Sequence, residues 1–447
     1  MTTDLRIKNN ATLYIALKIA GAAVGLVNTI LLARILGTTQ YGVLALTLAA
    51  ANLLATFSAL GLPYWITREV AISRKHGHFR RLLSIARKGL QLCLVVSAIP
   101  ALFATAAYCY TLVSPASAFT STVPLTVIAL AVAFIPIASI NQVRAAIIRG
   151  LGRALTADFP DIIIRPLCIL ITICVAIALT VHGGAALGMT IQISGAAVAL
   201  AVGCVLLWRS VTTVTRDRTG SSNADPQEEV HFRHLLRTAP QFLVILLLAT
   251  MDGQLSIYLV GMFSGAANVG IFQVALQPLN VILMGLVAVG AYAQPRIAAA
   301  WAQNQKGGAQ EVVTQATRFS SQLALAFGAA LIIFASPIIR LYGSGYAEAA
   351  LLLRILALGQ IIHGVTGPIG IVMLMTGKQK QLFFFDTLFL VLKVILLSIG
   401  IIYFGLMGAA IAEVFCLLIM RIAGVLFVYK HTGILTTMWG RQRTHNS

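Results

Sequence analysis

Residues 32–71 read LARILGTTQYGVLALTLAAANLLATFSALGLPYWITREVA, and their layout decides the fold class. An apolar run that began near residue 12 ends here in a short polar turn, GTTQYG (37–42). A second apolar run follows and meets no charge until Arg68 and Glu69. A membrane-crossing helix needs about 20 predominantly apolar residues, so the stretch holds the end of one span, a tight connection and a second span. The same pattern extends along the chain. Spans are expected near residues 12–33, 42–62, 86–109, 122–146, 160–180 and 184–208, then near 237–261, 269–292, 319–339, 349–374, 382–403 and 406–429. The expected fold is all-α, a polytopic membrane protein with twelve transmembrane helices. Continuous apolar runs of this length exclude a transmembrane β-barrel, whose strands alternate.

Composition agrees. The 447 residues are 59% hydrophobic and 10% charged, with a mean hydropathy of +0.90. A soluble protein carries about 25% charge, and these few charged groups cannot cover one large globule. The six cysteines (Cys93, Cys109, Cys168, Cys174, Cys204, Cys416) lie in or beside apolar runs, without CxxC or a His/Cys cluster of metal-ligand spacing. They read as small apolar residues, and no metal or cofactor is expected. Residues 1–10 are polar and the run after them has no small-residue cleavage site, so it reads as a retained first span.

The formal charge of +19 is a topology signal, because the basic residues are spread among short connections rather than gathered for nucleic acid. Even-numbered connections and the two tails hold 25 Lys and Arg, including Arg144, Arg149 and Arg153 after span four; odd-numbered connections hold Arg34, Arg340 and Arg354. Cytoplasmic connections carry the excess of Lys and Arg, so both termini are expected in the cytoplasm. The expected organisation is a six-helix bundle over residues 1–208, a cytoplasmic linker over 209–236, a second bundle over 237–430 and a cytoplasmic tail over 431–447.

The two halves repeat. Residues 259–298, LVGMFSGAANVGIFQVALQPLNVILMGLVAVGAYAQPRIA, echo the opening stretch. At an offset of 228, Gly37 falls on Gly265, Gly42 on Gly270, Asn52 on Asn280 and Arg68 on Arg296. Spans four and ten both end in basic glycine turns, RGLGR (149–153) and GKQK (377–380). Six spans plus six with matching polarity imply parallel repeats about an axis along the membrane normal, an arrangement common in transporters.

The run ARILGTTQYG (33–42), the second span closing in Leu60-Gly61-Leu62, and Arg68-Glu69-Val70-Ala71 after it resemble bacterial polysaccharide-exporting flippases. These are the Wzx-like members of the multidrug/oligosaccharidyl-lipid/polysaccharide exporter superfamily. The resemblance implies alternating access by two six-helix bundles that move an undecaprenyl-pyrophosphate-linked oligosaccharide to the periplasmic leaflet. O-antigen, capsule or exopolysaccharide assembly would use it. The partners so implied are that polyprenyl-linked oligosaccharide, membrane lipids, a proton or sodium ion, and a glycan polymerase with its chain-length regulator. The second half departs from the motif, with Met262 in place of Arg34 and Val269 in place of Tyr41.

Ionisable groups inside apolar spans are costly and mark functional candidates. Lys18 heads a stripe of Gly21, Ala22, Gly25, Asn28 and Thr29 in span one, which suits either a groove for an anionic head group or headgroup snorkelling with packed glycines. Arg34 at the outer end of that span either attracts the pyrophosphate or holds the turn. Asp252, near the middle of span seven, is the ion-coupling candidate, or else a buried partner for a cation. Gln273, Gln277 and Asn280 place amides on one face of span eight, with Asn52 as the counterpart in span two. Such amides bind sugar hydroxyls or lock neighbouring helices. Asp386, Lys393, Glu413 and Arg421 read as a structural network, and Asp158 and Asp161 as local partners of Arg165.

No nucleotide-binding Gly/Lys loop, HExxH or DxD-type cluster is present, so an enzyme is not expected and the energy must come from a gradient, a partner or the cargo itself. The alternative function is a cation-coupled multidrug antiporter of the same superfamily; a scaffold without transport would not need twelve repeated spans. The charge bias makes one direct prediction. A cysteine placed in the long polar connection (Ser222→Cys) should react with membrane-impermeant reagents only from the cytoplasmic side, and periplasmic labelling in intact cells would invert the topology.

Overall fold

The computed structural model describes residues 2–76, 78–113, 124–181, 183–216, 240–303 and 305–438. Most of the expected linker and the last nine residues of the expected tail lie outside the described residues. Among the described residues every regular element is helical: α1 (Thr2–Ser58), α2 (Leu62–His76), α3 (Phe79–Val113), α4 (Leu125–Gly150), α5 (Ala154–Phe159), a π-helical turn (Pro160–Ile164), α6 (Arg165–Ala178) and α7 (Ala185–Arg216). Then come α8 (Pro240–Ser264), α9 (Ala266–Leu276), a 3-10 turn (Gln277–Leu279), α10 (Asn280–Ala302), α11 (Lys306–Ile333), α12 (Ala335–Arg340) and a second 3-10 turn (Ser344–Tyr346). The chain ends in α13 (Ala349–Thr366), α14 (Ile369–Met375) and α15 (Gln379–Thr432).

Ten of these helical stretches are long and apolar enough to cross a membrane. Two of the ten are double. Leu17–Ser58 has 42 residues and is broken at Gly37, and Gln379–Thr432 has 54 and is broken at Gly405. Counted as pairs they bring the crossing segments among the described residues to twelve, each overlapping an apolar run read from the sequence. Span five is less regular than expected. Proline at 166 has no N–H for the carbonyl four residues back, and the helix widens into the π turn just before it. α7 also runs on to Arg216, so residues 209–216 are helical.

The chain packs as two compact units, one formed by Met1–Leu36 and Val43–Gln254, the other by Gly37–Gly42 and Leu255–Ser447. In unit 1, α4 is the hub and packs on α2, α3 and α7. Trp65, Ile66, Ile85, Cys93, Val143 and Ile147 are buried where α2, α3 and α4 meet. In unit 2, α13 packs on α9, α11 and α15.

The internal repeat is written into the backbone. Gly37 (φ 72, ψ 175) and Gly265 (φ 81, ψ 172) share one left-handed conformation, which side chains other than hydrogen rarely permit. The turns after spans four and ten close identically: Gly152 donates to the Arg149 carbonyl and Arg153 to Ile148, while Gly377 donates to Leu374 and Lys378 to Met373. Both are Schellman motifs built on a left-handed glycine. A third pair, Thr180 (φ 49) and Gly405 (φ 58), bends the chain between spans five and six and between eleven and twelve.

The segment 37–42 packs with unit 2 through a self-complementary contact. A Cβ on Gly42 would collide with the Ala266 carbonyl, and one on Gly270 with the Thr38 carbonyl. Since 38 and 266, like 42 and 270, are repeat equivalents, the contact has the symmetry of a local twofold. Tyr41, buried beside it, meets the Tyr346 ring edge-on at 6.4 Å.

A β-branched residue in left-handed conformation is strained by about 1–2 kcal/mol. Thr180→Gly should therefore raise the thermal unfolding midpoint in detergent by relieving about 1 kcal/mol, and Gly405→Thr should lower it; equal midpoints for Thr180→Gly and the parent would contradict the turn geometry.

Candidate transport site

In unit 1 the expected pathway residues divide. Lys18 is half-buried on α1. Asn28 is buried and its Nδ2 donates to the Pro166 carbonyl at 2.8 Å, tying α1 to the start of α6. About two turns earlier, a Cβ on Gly21 would strike the Ile162 carbonyl in the π turn, whereas Gly25 faces open space. The small-residue stripe of span one is thus partly a packing face. Arg34 and Asp252 are exposed, and Asn52 is half-buried.

In unit 2, a 3-10 turn around Pro278 lies within the expected amide face, between Gln273 and Asn280. Gln273 is half-buried, with its Oε1 buried and unpartnered. Asn280, exposed on the far side of that turn, donates through Nδ2 to Gln277 Oε1 at 3.2 Å. Gln277 and Asn280 are the expected pathway residues seen bonded to each other.

Two ionic networks lie elsewhere. Arg144, expected in a basic cytoplasmic connection, is instead wholly buried inside unit 1. Its Nη2 meets Asp161 Oδ2 at 3.0 Å, its Nε donates to Asn141 Oδ1 at 2.8 Å, and Asn141 Nδ2 donates to Asp161 in turn. Space for the guanidinium comes from Gly203 of α7, where a Cβ would overlap it. The expected pairing of Asp158 and Asp161 with Arg165 is corrected accordingly: Asp161 pairs with Arg144, Asp158 lies 3.9 Å from Arg149, and the Arg165 guanidinium sits 5.5 Å over the Phe134 ring. Asn141 and Arg144, one helical turn apart inside an apolar run, were the signal available in the sequence. In unit 2, Lys393 Nζ meets Glu413 Oε1 at 2.7 Å, and Ser256 Oγ donates to Glu413 Oε2 at 2.5 Å. That joins spans seven, eleven and twelve. Arg421, expected in the same network, has Nη1 3.5 Å from the Gly367 carbonyl.

Residues 7–301 match the profile of the family described as polysaccharide biosynthesis protein. The chain belongs to this family. A second profile, MatE, matches residues 242–399. No curated protein matches the chain by sequence. Among solved structures, it is similar to an inward-facing multidrug resistance MATE family transporter of the MOP superfamily, with TM-score 0.72 and 14% identity over 95% of this chain and 98% of that one. It is also similar to a MOP superfamily transporter from Pyrococcus furiosus described by the reverse polarity of its binding pocket (TM-score 0.64, 15% identity, 96% of each chain). A third likeness is to the lipid II flippase MurJ in an inward closed conformation (TM-score 0.63, 14% identity, 93% of this chain and 87% of that one). At these identities the likeness shows the fold, the all-α polytopic architecture of the MOP and MATE transporters.

Membership makes the chain a multi-pass membrane transporter and not an enzyme. It does not carry the expected cargo. The expectation of a flippase for undecaprenyl-pyrophosphate-linked oligosaccharide in O-antigen or exopolysaccharide assembly is overturned by the MatE match and by structural likenesses dominated by MATE transporters; these favour the alternative reading. Arg144 and Lys393, cations buried within the spans, are paired with Asp161 and Glu413.

Removing one partner of a buried ion pair costs about 3–5 kcal/mol. Asp161→Ala should therefore destabilise unit 1 by about 3 kcal/mol in thermal unfolding, and Gly203→Val should do the same by displacing the guanidinium. Asp158→Ala, which breaks a long and half-exposed pair, should change little.

Proposed function

We propose that the protein is a cation-coupled exporter of amphipathic organic compounds, working by alternating access in the inner membrane with both termini in the cytoplasm. The observation that carries this reading is the carboxylate Asp252, exposed on α8 within span seven. An ionisable group within a span marks a functional candidate, and a carboxylate suits a cationic cargo or its coupling ion. The MatE match and the likeness to multidrug resistance MATE transporters support the same cargo class. Without a nucleotide-binding motif, transport draws on an ion gradient.

Asp252 is the coupling group in this reading. Binding a proton or sodium ion there removes the negative charge that holds a cationic cargo, so inward movement of the ion releases cargo outward. In unit 1, Lys18, Asn52 and Arg34 lie along spans one and two on the cargo's route, and Asn28 positions α1 against α6. In unit 2, Gln273, Gln277 and Asn280 provide uncharged hydrogen-bond partners.

Proteoliposomes holding a fluorescent organic cation test this directly. An imposed proton or sodium gradient should drive dye movement, and Asp252→Asn should reduce the gradient-dependent rate at least tenfold with protein incorporation unchanged. Gradient-independent movement, or none with any cationic dye, would overturn the proposal.

A further inference from the structure

After α15, the chain does not leave unit 2. Gly433 adopts a left-handed conformation and caps the helix by donating to the Tyr429 carbonyl at 2.9 Å, which turns residues 433–438 back along α11. There the Gln310 side chain pairs with the Leu435 backbone as one peptide group pairs with another in a sheet. Leu435 N–H donates to Gln310 Oε1 at 2.8 Å, and Gln310 Nε2 donates to the Leu435 carbonyl at 2.9 Å. The second amide proton of Gln310 goes to Thr314 Oγ1 at 2.9 Å, so the amide spends both donors in a buried site. Two turns along α11, the Thr317 hydroxyl shares its proton between the Val313 carbonyl of its own helix and the Thr436 carbonyl, at 2.8 and 2.9 Å. The Arg318 Nε lies 3.4 Å from the Met438 carbonyl. Between these bonds Ile434, 1% exposed, enters an apolar cluster with Ile297 of α10, Val313 of α11 and Ile369, Val372 and Met373 of α14.

The segment lies against the break in span ten. α13 ends at Thr366, Gly367 takes φ 72, and the helix restarts as α14 after Pro368. A Cβ on Gly367 would meet both the Thr317 hydroxyl and the Thr436 carbonyl. The backbone groups opened by the break are held by neighbours: Ser321 Oγ donates to the Gly364 carbonyl at 3.3 Å. Strap and break therefore share Thr317, and Ile434 belongs to the same apolar cluster as the short α14.

We propose that residues 433–438 form a strap, fixed by Gln310 as its positioning residue, that holds span ten in its broken shape by pinning α14 to α11. With the strap released, Leu435 loses its rung, Ile434 leaves the cluster and the space beside Gly367 opens, so α14 is free to move about the Gly367–Pro368 joint. The C-terminus thereby gains leverage on a membrane span. This device belongs to the fold of unit 2 and stands whatever the cargo is.

Hydrogen–deuterium exchange on the purified full-length protein in nanodiscs tests it. In the parent, amides at 434–436 and at 366–370 should both exchange slowly. Gln310→Leu, which removes donor and acceptor, should speed both sets at least tenfold together. Gln310→Glu keeps the acceptor for the Leu435 N–H and should fall between. Thr436 Oγ1 is buried without a partner, so Thr436→Val should leave both sets at parental rates. Should Gln310→Leu fail to fold, a chain ending at Thr432 must show the same acceleration at 366–370. The proposal is overturned if residues 366–370 keep parental exchange when the strap is released or deleted, or if Gln310→Leu leaves the strap itself protected.

Discussion

Hydrocarbon offers no hydrogen bonds, and every feature of this chain is an answer to that constraint. Helices satisfy their own backbone, so the regular elements are helices. Wherever a helix must stop or break, local groups take over. Schellman turns at Gly152 and Gly377 close two spans from within the backbone. At the π turn of span five, Asn28 reaches the Pro166 carbonyl and Gly21 lets α1 lie against Ile162. At the break in span ten, the Ser321 hydroxyl of α11 donates to the Gly364 carbonyl. Irregular backbone inside a membrane protein survives only where protein covers it; the π turn of span five lies against α1 and the break in span ten against α11.

The same low dielectric governs the charges. An isolated guanidinium or ammonium would be expensive in the spans, and the fold meets that cost by pairing: Arg144 with Asp161 and Asn141, Lys393 with Glu413 and Ser256. Each pair joins separate spans, so it fixes how the helices within a unit meet. Pairing also withdraws these cations from ligand chemistry. Family membership over residues 7–301 goes with the fold, whereas cargo is a property of the groups left accessible.

Much of the fold was legible in the sequence because its signals are long and one-dimensional. Twenty apolar residues in a row can do little but cross a bilayer, and glycines at a spacing of 228 announce a repeat before any coordinates exist. The candidate site was less legible. A 3-10 turn at Pro278 lies within the Gln273–Asn280 face, which a helical period alone does not show. Asp161 was assigned to Arg165, its neighbour along the helix, yet it found Arg144 of the adjacent span. The strap at 433–438 left no trace in hydropathy, since its hold depends on one glutamine more than a hundred residues away.

The sequence by itself determined the all-α membrane class, the twelve apolar segments and the paired left-handed turns at 37 and 265 and at 152 and 377, because each depends on composition or on a single residue's allowed backbone. Tertiary structure alone decided which buried charges are neutralised, which glycines make room for a guanidinium or a carbonyl, and where residues 433–438 pack. Those outcomes are set by distances between groups far apart in sequence, in a medium where an unpaired charge or amide costs several kcal/mol, and no linear pattern records which partner arrives.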